Sequence, residues 1–198
     1  MADSPSRTLE GASRSAGGQD EDLVERFARG DGSAFDRIVA EHRARVTALA
    51  YRLLGWSADV EDVVQEVFLA ALKGLPKFRG QARFSSWLTR IVINKCRTHR
   101  RRRLLRLRWL AQEPPKPQVT SSASAEERML DREAFERVHR AIQGLPMRYR
   151  EVVVLRYLED MPIEAISEVL GTTPNTVHVR LNRARARLKE HLAGLIEV

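Results

Sequence analysis

The sequence predicts an all-α protein of two small helical domains joined by a flexible linker, with a helix-turn-helix in the C-terminal domain. Three observations lead to this fold class. Apolar residues recur at helical spacing in most segments, as they do from Phe35 to Leu53, and no segment keeps the alternation of a strand. Residues 111–125 contain three prolines, then small polar residues, with nothing periodic to bury. In Gly171-Thr-Thr-Pro174 the glycine ends one helix, Thr173 can cap the next, and Pro174 lies in the first turn of that next helix.

The helices follow from this spacing, taken in chain order. Residues 1–20 have no apolar period and are predicted to form a disordered tail. The first predicted helix covers Phe35 to Leu53, with Asp31 or Ser33 as its N-cap. The remaining helices are predicted at 60–72, from about Phe84 onward, at 130–145, 148–158 and 162–170, and from Pro174.

The charge is concentrated in two places that lie far apart in the sequence. The 198-residue chain has a formal net charge of +8, yet residues 76–110 alone hold 12 Lys or Arg and no acid. Residues 173–189 hold 5 basic residues and no acid. Such foci predict a polyanionic partner, and the linker between them would let two modules bind separate sites on one DNA.

Several classes of protein are excluded by what the sequence lacks. It has no apolar run of membrane-spanning length and no secretory pattern at its start, so we expect a soluble, cytoplasmic protein without membrane insertion. Its single cysteine cannot form an internal disulfide, and its five histidines show no ligand spacing. Phosphate-cradling glycine loops and nucleophile motifs are also missing. The sequence therefore predicts no metal, no cofactor and no enzymatic activity.

Each basic focus predicts one nucleic-acid surface. In a helix-turn-helix the second helix enters the major groove, and later basic residues contact phosphates. This places on the DNA side Thr176, His178, Val179, Asn182 and Arg183, with Arg180, Arg185 and Arg187 as further phosphate or base contacts. The helix from Phe84 presents on one side Trp87, Arg90, Asn94, Arg97, Thr98 and Arg101. Phe78, Phe84 and Trp87 could stack on an unpaired base, although Phe84 is expected in the core.

These patterns leave other interpretations open. The last helix could be a solvated cationic helix of a plain bundle, and residues 95–108 could be a frayed helix end or an RNA-binding arm. The acidic run from Asp59 to Glu66 could be an ordinary solvated face. However, Val67, Phe68 and Leu69 are more consecutive apolar residues than one buried stripe needs, so this helix could also carry a docking surface for a partner helix. An autonomous helix-turn-helix repressor or activator is the main alternative. A nuclease with Mg²⁺ at Asp59, Glu61 and Asp62 is less favoured, because Glu61 points away from the other two on a helix.

Both halves of the chain resemble sigma factors of bacterial RNA polymerase, specifically the extracytoplasmic-function (ECF) group. The blocks that carry the resemblance are Gly30-Asp-Gly-Ser-Ala-Phe35, Asp59-Val-Glu-Asp-Val-Val-Gln-Glu-Val-Phe68, Phe78-Arg-Gly80, Phe84-Ser-Ser-Trp-Leu-Thr-Arg-Ile91 with Asn94, Leu145-Pro146 with Arg150, Glu164-Ala-Ile166, Leu170-Gly171 and Thr176-Val-His-Val-Arg-Leu-Asn-Arg-Ala-Arg185. Their order and spacing together are strongly specific. The resemblance implies sigma region 2 at residues 21–108, a linker at 109–127 and sigma region 4 at 128–198.

The resemblance also implies partners and site residues. The second helix would bind the clamp helices of the largest polymerase subunit through Asp59, Asp62, Gln65, Glu66 and Phe68. The minus-ten promoter element would be melted and read by Arg79, Gly80, Gln81, Trp87, Arg90, Asn94, Arg97, Thr98 and Arg101. The last helix would read the minus-35 element as duplex, and its domain would dock on the polymerase flap. As in other stress-response regulators of this group, an anti-sigma factor is an expected kind of partner. Asn175, His178 and Val179 depart from the usual family residues, so the resemblance does not fix the minus-35 sequence preference.

Overall fold

The computed structural model describes residues 7–55, 59–109 and 136–193, with side chains for 18–55, 59–106 and 136–193. None of these residues lies in a strand, and the all-α prediction is confirmed. In chain order the helices are α1 (Arg7–Ala28), α2 (Gly32–Leu54), α3 (Val60–Gly74), α4 (Phe84–Trp109), α5 (described over 136–144), α6 (Met147–Val153), α7 (Ile163–Leu170) and α8 (Pro174–Ala193). A short 3-10 turn, Leu75–Lys77, follows α3, and a π-helical turn, Val154–Leu158, continues α6.

The chain divides into two compact units. One comprises Met1–Ala50 and Ala58–Lys95, and the other comprises Tyr51–Ser57 and Cys96–Val198, so α4 contributes to both. No helix in the described ranges is long and apolar enough to cross a membrane. Most of the predicted linker and the start of the predicted 130–145 helix lie outside the described residues.

The first unit is built on the apolar faces of three helices. Its fully buried side chains include Ile38 and Leu49 from α2 and Val64 and Val67 from α3, each at most 2% exposed. Phe84, predicted for the core, is 3% exposed at the start of α4. Burying side chains of this size contributes about 1.5–3 kcal/mol each, which fixes α3 and α4 against α2 and orients their outer faces.

The N-terminal helix differs from the sequence expectation. Residues 1–20 are predicted to be a disordered tail, whereas α1 begins at Arg7. The later part of α1 is anchored to α2, because Leu23 is buried and Asp20 Oδ1 lies 2.7 Å from His42 Nε2.

The start of α2 settles which of two residues caps it. Asp31 Oδ1 accepts hydrogen bonds from the Ser33 backbone N–H (3.0 Å) and the Ser33 hydroxyl (2.6 Å), and Arg26 donates to Asp31 Oδ2 at 2.7 Å. The Ser33 hydrogen bonds, followed by that of Arg26, lower the pKa of Asp31 from its ordinary 3.8 to about 2. Asp31 is therefore the cap, and it stays ionised at neutral pH.

The second unit contains a buried arginine on α6. Arg150 on α6 is 3% exposed, and its terminal nitrogens donate to the carbonyl oxygens of Leu53 (2.7 Å) and Leu145 (3.2 Å) and to the backbone and side-chain oxygens of Gln143. Burial lowers the pKa of Arg150 to about 10, so its charge is retained at neutral pH. The Arg150 side chain thereby binds the C-terminal ends of the two helices α2 and α5.

Candidate nucleic-acid interface

The turn between α7 and α8 is that of a helix-turn-helix. Gly171 ends α7 in the left-handed conformation (φ 64°, ψ 46°), which glycine adopts without steric cost. Thr173 Oγ1 accepts a hydrogen bond from the Thr176 backbone N–H at 3.2 Å, and Pro174 is the first residue of α8. The predicted cap and helix start are both confirmed, and they set the direction in which α8 leaves the turn.

One face of α8 is buried and the rest is open. Val177, Leu181 and Ala184 are at most 2% exposed and hold the helix against its unit. The predicted minus-35 residues all lie on the other sides of α8. Exposed among them are His178, Val179, Asn182, Arg183 and Arg185, and half-buried are Thr176 and Arg180. The structure thus brings all seven onto one helix, with five of them accessible.

Two tyrosines from outside α8 hold its arginines, a feature that sequence reasoning missed. Tyr157, from the π-helical turn, accepts a hydrogen bond from Arg185 Nε at 2.8 Å, and the same guanidinium lies 5.9 Å from the Tyr157 ring centroid. Arg185 Nη1 also donates to Asn182 Oδ1 at 3.3 Å. Nothing local in the sequence indicates this contact, because 28 residues separate the partners.

Tyr149, on α6, is the second tyrosine whose ring contacts arginines. Its side chain is 3% exposed, and the guanidinium carbons of Arg148 and Arg187 lie 4.8 and 5.3 Å from its ring centroid. A hydrogen bond from Arg183, and then one from Arg148, lower the pKa of the Tyr149 hydroxyl. Arginines of α8 are therefore held by an aromatic ring at this position too.

The second candidate surface begins in the loop before α4. Arg79, Gly80 and Gln81 are exposed, and Gly80 has φ 66° with no heavy atom near the place a Cβ would take. Beside the loop Phe78 and Trp87 are half-buried, with ring centroids 5.2 Å apart. Both rings also contact the buried Phe84, at 5.9 and 5.5 Å. An open loop next to partly accessible rings can receive a base that has left a duplex.

Along α4 most of the predicted minus-ten residues are exposed, whereas Trp87 and Arg97 are half-buried. Arg90, Asn94, Thr98 and Arg101 are exposed. Arg97 is half-buried and makes a two-pronged ion pair with Glu151, Nε–Oε1 2.7 Å and Nη2–Oε2 2.6 Å, and the Glu151 side chain is only 2% exposed. The hydrogen bonds to Glu151 raise the pKa of Arg97. Its contact with DNA stays a prediction that requires this ion pair to open.

The outer face of α3 combines acids with leucines. Of the residues predicted to bind polymerase, Asp62 and Gln65 are exposed and Asp59 is half-buried. Glu66 is half-buried and accepts a hydrogen bond from Lys95 at 3.1 Å, and Phe68 is only 7% exposed. Leu69, which belongs to the apolar run Val67–Leu69 noted in the sequence, and Leu72 are 57% and 37% exposed, although neither is among the predicted polymerase contacts. The signal was present, because three consecutive apolar residues exceed one buried stripe.

One group of metal-type donors occurs in the described part of the chain. Single donor atoms of Asp20, Glu41 and His42 lie within 4.8 Å of one another. The Asp20–His42 hydrogen bond accounts for the closest pair, and it joins α1 to α2. Cys96 is buried, as expected for a small apolar side chain, and burial raises the pKa of its thiol to about 12.

Comparison with known proteins identifies both units. The model of sigma-70 region 2 matches residues 38–105, and that of sigma-70 region 4 matches residues 135–188. The RNA polymerase sigma-H factor of Pseudomonas aeruginosa is 33% identical over 192 residues, covering 90% of this chain and 96% of its own. The ECF RNA polymerase sigma-E factor of Escherichia coli K12 is 31% identical, covering 89% and 96%.

A solved structure agrees with these sequence relatives. The structure of CnrH in complex with the cytosolic domain of CnrY has a TM-score of 0.64 and 29% identity, and the match covers 89% of this chain and 98% of that one. The matches run through both units, and the two family models appear in the order that the resemblance requires. The chain belongs to the sigma-70 family and is an ECF sigma factor, a protein that directs promoter-specific initiation by RNA polymerase.

Proposed function

We propose that this sigma factor divides its work among three surfaces. The outer face of α3 binds core RNA polymerase, the 78–83 loop with α4 opens and reads the minus-ten element, and α8 reads the minus-35 element as duplex. The observation that carries the proposal is the difference in construction of these surfaces: acids with exposed leucines, an open loop with aromatic rings, and a helix edged by arginines. The protein itself would catalyse no reaction, and it would act in the cytoplasm, where promoter DNA is found.

The minus-35 step uses the exposed side of α8. His178 and Asn182 present hydrogen-bonding groups toward base edges, and Val179, 40% exposed, presents an apolar group that suits a thymine methyl. The arginines beside them supply phosphate contacts, which position the helix without reading sequence. We therefore expect His178, Val179 and Asn182 to determine which minus-35 sequences are preferred, and the arginines to determine how tightly the duplex is bound.

The minus-ten step has to overcome the cost of unstacking a base. Extruding one base costs a few kcal/mol. Stacking on an aromatic side chain returns about 1–3 kcal/mol per base, so a single ring such as Trp87 can offset much of that cost. The exposed Arg101 and its basic neighbours in α4 attract the phosphates of the same strand.

Polymerase binding is assigned to α3 because its exposed face joins Asp62 and Gln65 to Leu69 and Leu72. A partly apolar patch with charges at its rim is the usual composition of a protein interface. By the family resemblance the region 4 unit would dock on the flap, and the linker would follow the RNA-exit path. The CnrH structure contains a second protein, CnrY. That complex supports our proposal that this chain is bound by a second protein, and the family resemblance implies that this partner is an anti-sigma factor.

Reconstitution with core polymerase tests the proposal. Asp62→Lys should weaken binding to core polymerase at least tenfold, because it reverses a charge at the interface. Asp36→Lys is the matched control, since Asp36 is also an exposed helical aspartate but lies on α2. Promoter-dependent transcripts should follow the same order. Equal binding by both variants would remove α3 from the polymerase interface.

The autonomous repressor makes the opposite prediction about DNA. Such a protein binds its operator tightly without polymerase. A gel-shift assay with promoter DNA should show a specific complex only when core polymerase is present. A specific, tight complex formed by this chain alone would favour the repressor, which none of the comparisons supports.

A further inference from the structure

The arginines of α8 are arranged around a ridge of shorter side chains. At 3.6 residues per turn, Arg183 and Arg185 lie roughly 160° apart around the helix, on opposite flanks of its exposed side. Arg187 shares the flank of Arg183. The ridge between the flanks consists of Asn175, Val179, Asn182 and Ala186, all exposed. A helix of this shape fits a major groove about 12 Å wide, with its ridge toward the bases and its flanks toward the two phosphate walls.

Each flank has its own tyrosine. On one flank, Tyr157 receives the Arg185 Nε hydrogen bond at 2.8 Å, and Asn182 orients the other end of the same guanidinium. On the other flank, the guanidinium carbon of Arg187 lies 5.3 Å from the centroid of the Tyr149 ring. Neither tyrosine is on α8, and the Tyr149 side chain is buried, 3% exposed.

We propose that Tyr157 and Tyr149 are positioning residues, which hold the α8 arginines in two rows ready to contact the phosphates on either side of the minus-35 base pairs. This inference rests on the proposed role of α8. A free arginine has many rotamers, and ordering one on binding costs about 0.5–1.5 kcal/mol, or roughly two- to tenfold in affinity. The tyrosines remove part of this cost because the guanidiniums are already ordered before DNA arrives.

The first test removes one hydroxyl and keeps every charge. Tyr157→Phe in reconstituted holoenzyme should weaken binding to a promoter about two- to tenfold, and only when the minus-35 element is intact. Its thermal unfolding midpoint should match that of the wild type, because Tyr157 is 49% exposed. The dependence of affinity on salt should keep its slope, since the number of phosphate contacts is unchanged. Tyr51→Phe, the same chemical change on α2, is the control.

A double-mutant cycle separates positioning from direct contact. If Tyr157 acts through Arg185, then Tyr157→Phe should have no further effect in an Arg185→Ala background. Arg185→Ala alone should weaken binding and lower the salt slope by about 0.9. The pair Tyr149→Leu and Arg187→Ala provides the same cycle for the other flank, because the leucine removes the ring that lies against Arg187.

The possible outcomes separate the proposed DNA contact of Arg185 from the positioning role of Tyr157. Unchanged binding by Arg185→Ala would mean that Arg185 does not contact DNA, and the role assigned to that residue would fail together with the inference. A loss in Arg185→Ala with no loss in Tyr157→Phe would overturn the positioning role and leave the proposed function intact. Tighter binding by Tyr157→Phe would show that the tyrosine withholds the arginine from DNA, which also overturns it.

Discussion

The two proposed DNA surfaces of this sigma factor use arginine in different ways. On α8, Arg185 and Arg187 lie against tyrosines at the edges of a ridge, whereas the basic residues at 101–103 in α4 are on the exposed side of their helix. The aromatic rings also differ in role: those beside α8 lie under guanidiniums, and Trp87 beside the 78–83 loop is itself partly open. Reading an intact duplex benefits from fixed groups, but capturing a base that leaves the stack requires an accessible ring.

The largest expected effect concerns the packing of the unit that carries α8. Arg150→Met should lower the free energy of unfolding by about 3–5 kcal/mol, because it leaves several buried carbonyl oxygens without their donor. Chemical denaturation measures this, with Arg140→Met, a change at an exposed arginine, expected within about 0.5 kcal/mol of wild type. Equal stability of the two variants would show that this unit does not depend on its buried arginine.

The next effect concerns the contribution of the exposed arginines of α4 to DNA binding. Replacing Arg101, Arg102 and Arg103 with alanine should reduce the slope of log affinity against log salt by about 2 to 3, because up to three phosphate contacts disappear. The slope is measured with holoenzyme on one promoter over a range of salt concentrations. An unchanged slope would exclude residues 101–103 from the DNA interface, and the contrast with α8 would be lost.

A smaller effect tests the open ring. Trp87→Ala should weaken binding of a single-stranded minus-ten oligonucleotide by about 1–3 kcal/mol through lost stacking. Trp87→Phe should recover part of the loss, and binding of a duplex minus-35 fragment should stay the same for both variants. Fluorescence anisotropy with the two DNA probes measures each value. A loss on both probes would indicate general damage rather than a stacking role.

The smallest effect concerns base reading by His178, on the exposed side of α8. His178→Ala should change the preference among minus-35 variants by about 1 kcal/mol at one base pair, because a side chain that reads bases affects some sequences more than others. Competition binding against a set of single-base variants measures the preference. Uniform weakening across the set would make His178 a backbone contact.

Much of the fold could be predicted from the sequence because its signals are local. Helical spacing located the start of α4 at Phe84, and Gly171, Thr173 and Pro174 defined the turn before α8. The N-terminal helix was missed because its anchor is the contact between Asp20 and His42, which are 22 residues apart. In residues 1–20 the apolar side chains do not recur at helical spacing, and this pattern carries no information about a contact with a distant residue.

The candidate site could be predicted only in part for the same reason. Helical geometry correctly placed His178, Asn182 and Arg185 on the open side of α8. It could not indicate that Arg97 pairs with Glu151 or that Tyr157 holds Arg185, because these partners come from distant segments. Side chains that meet only after folding have no spacing rule in the sequence.

The last residue of α3 limits how far Trp87 can shift. A Cβ at Gly74 would lie 3.0 Å from Cζ2 of the indole, a distance that would force the ring to move. The helix proposed to bind polymerase therefore ends against the ring proposed to stack on the unpaired base. On these two proposed roles, a methyl group added at Gly74 would displace that ring and alter promoter melting, although the methyl group itself would touch no nucleotide.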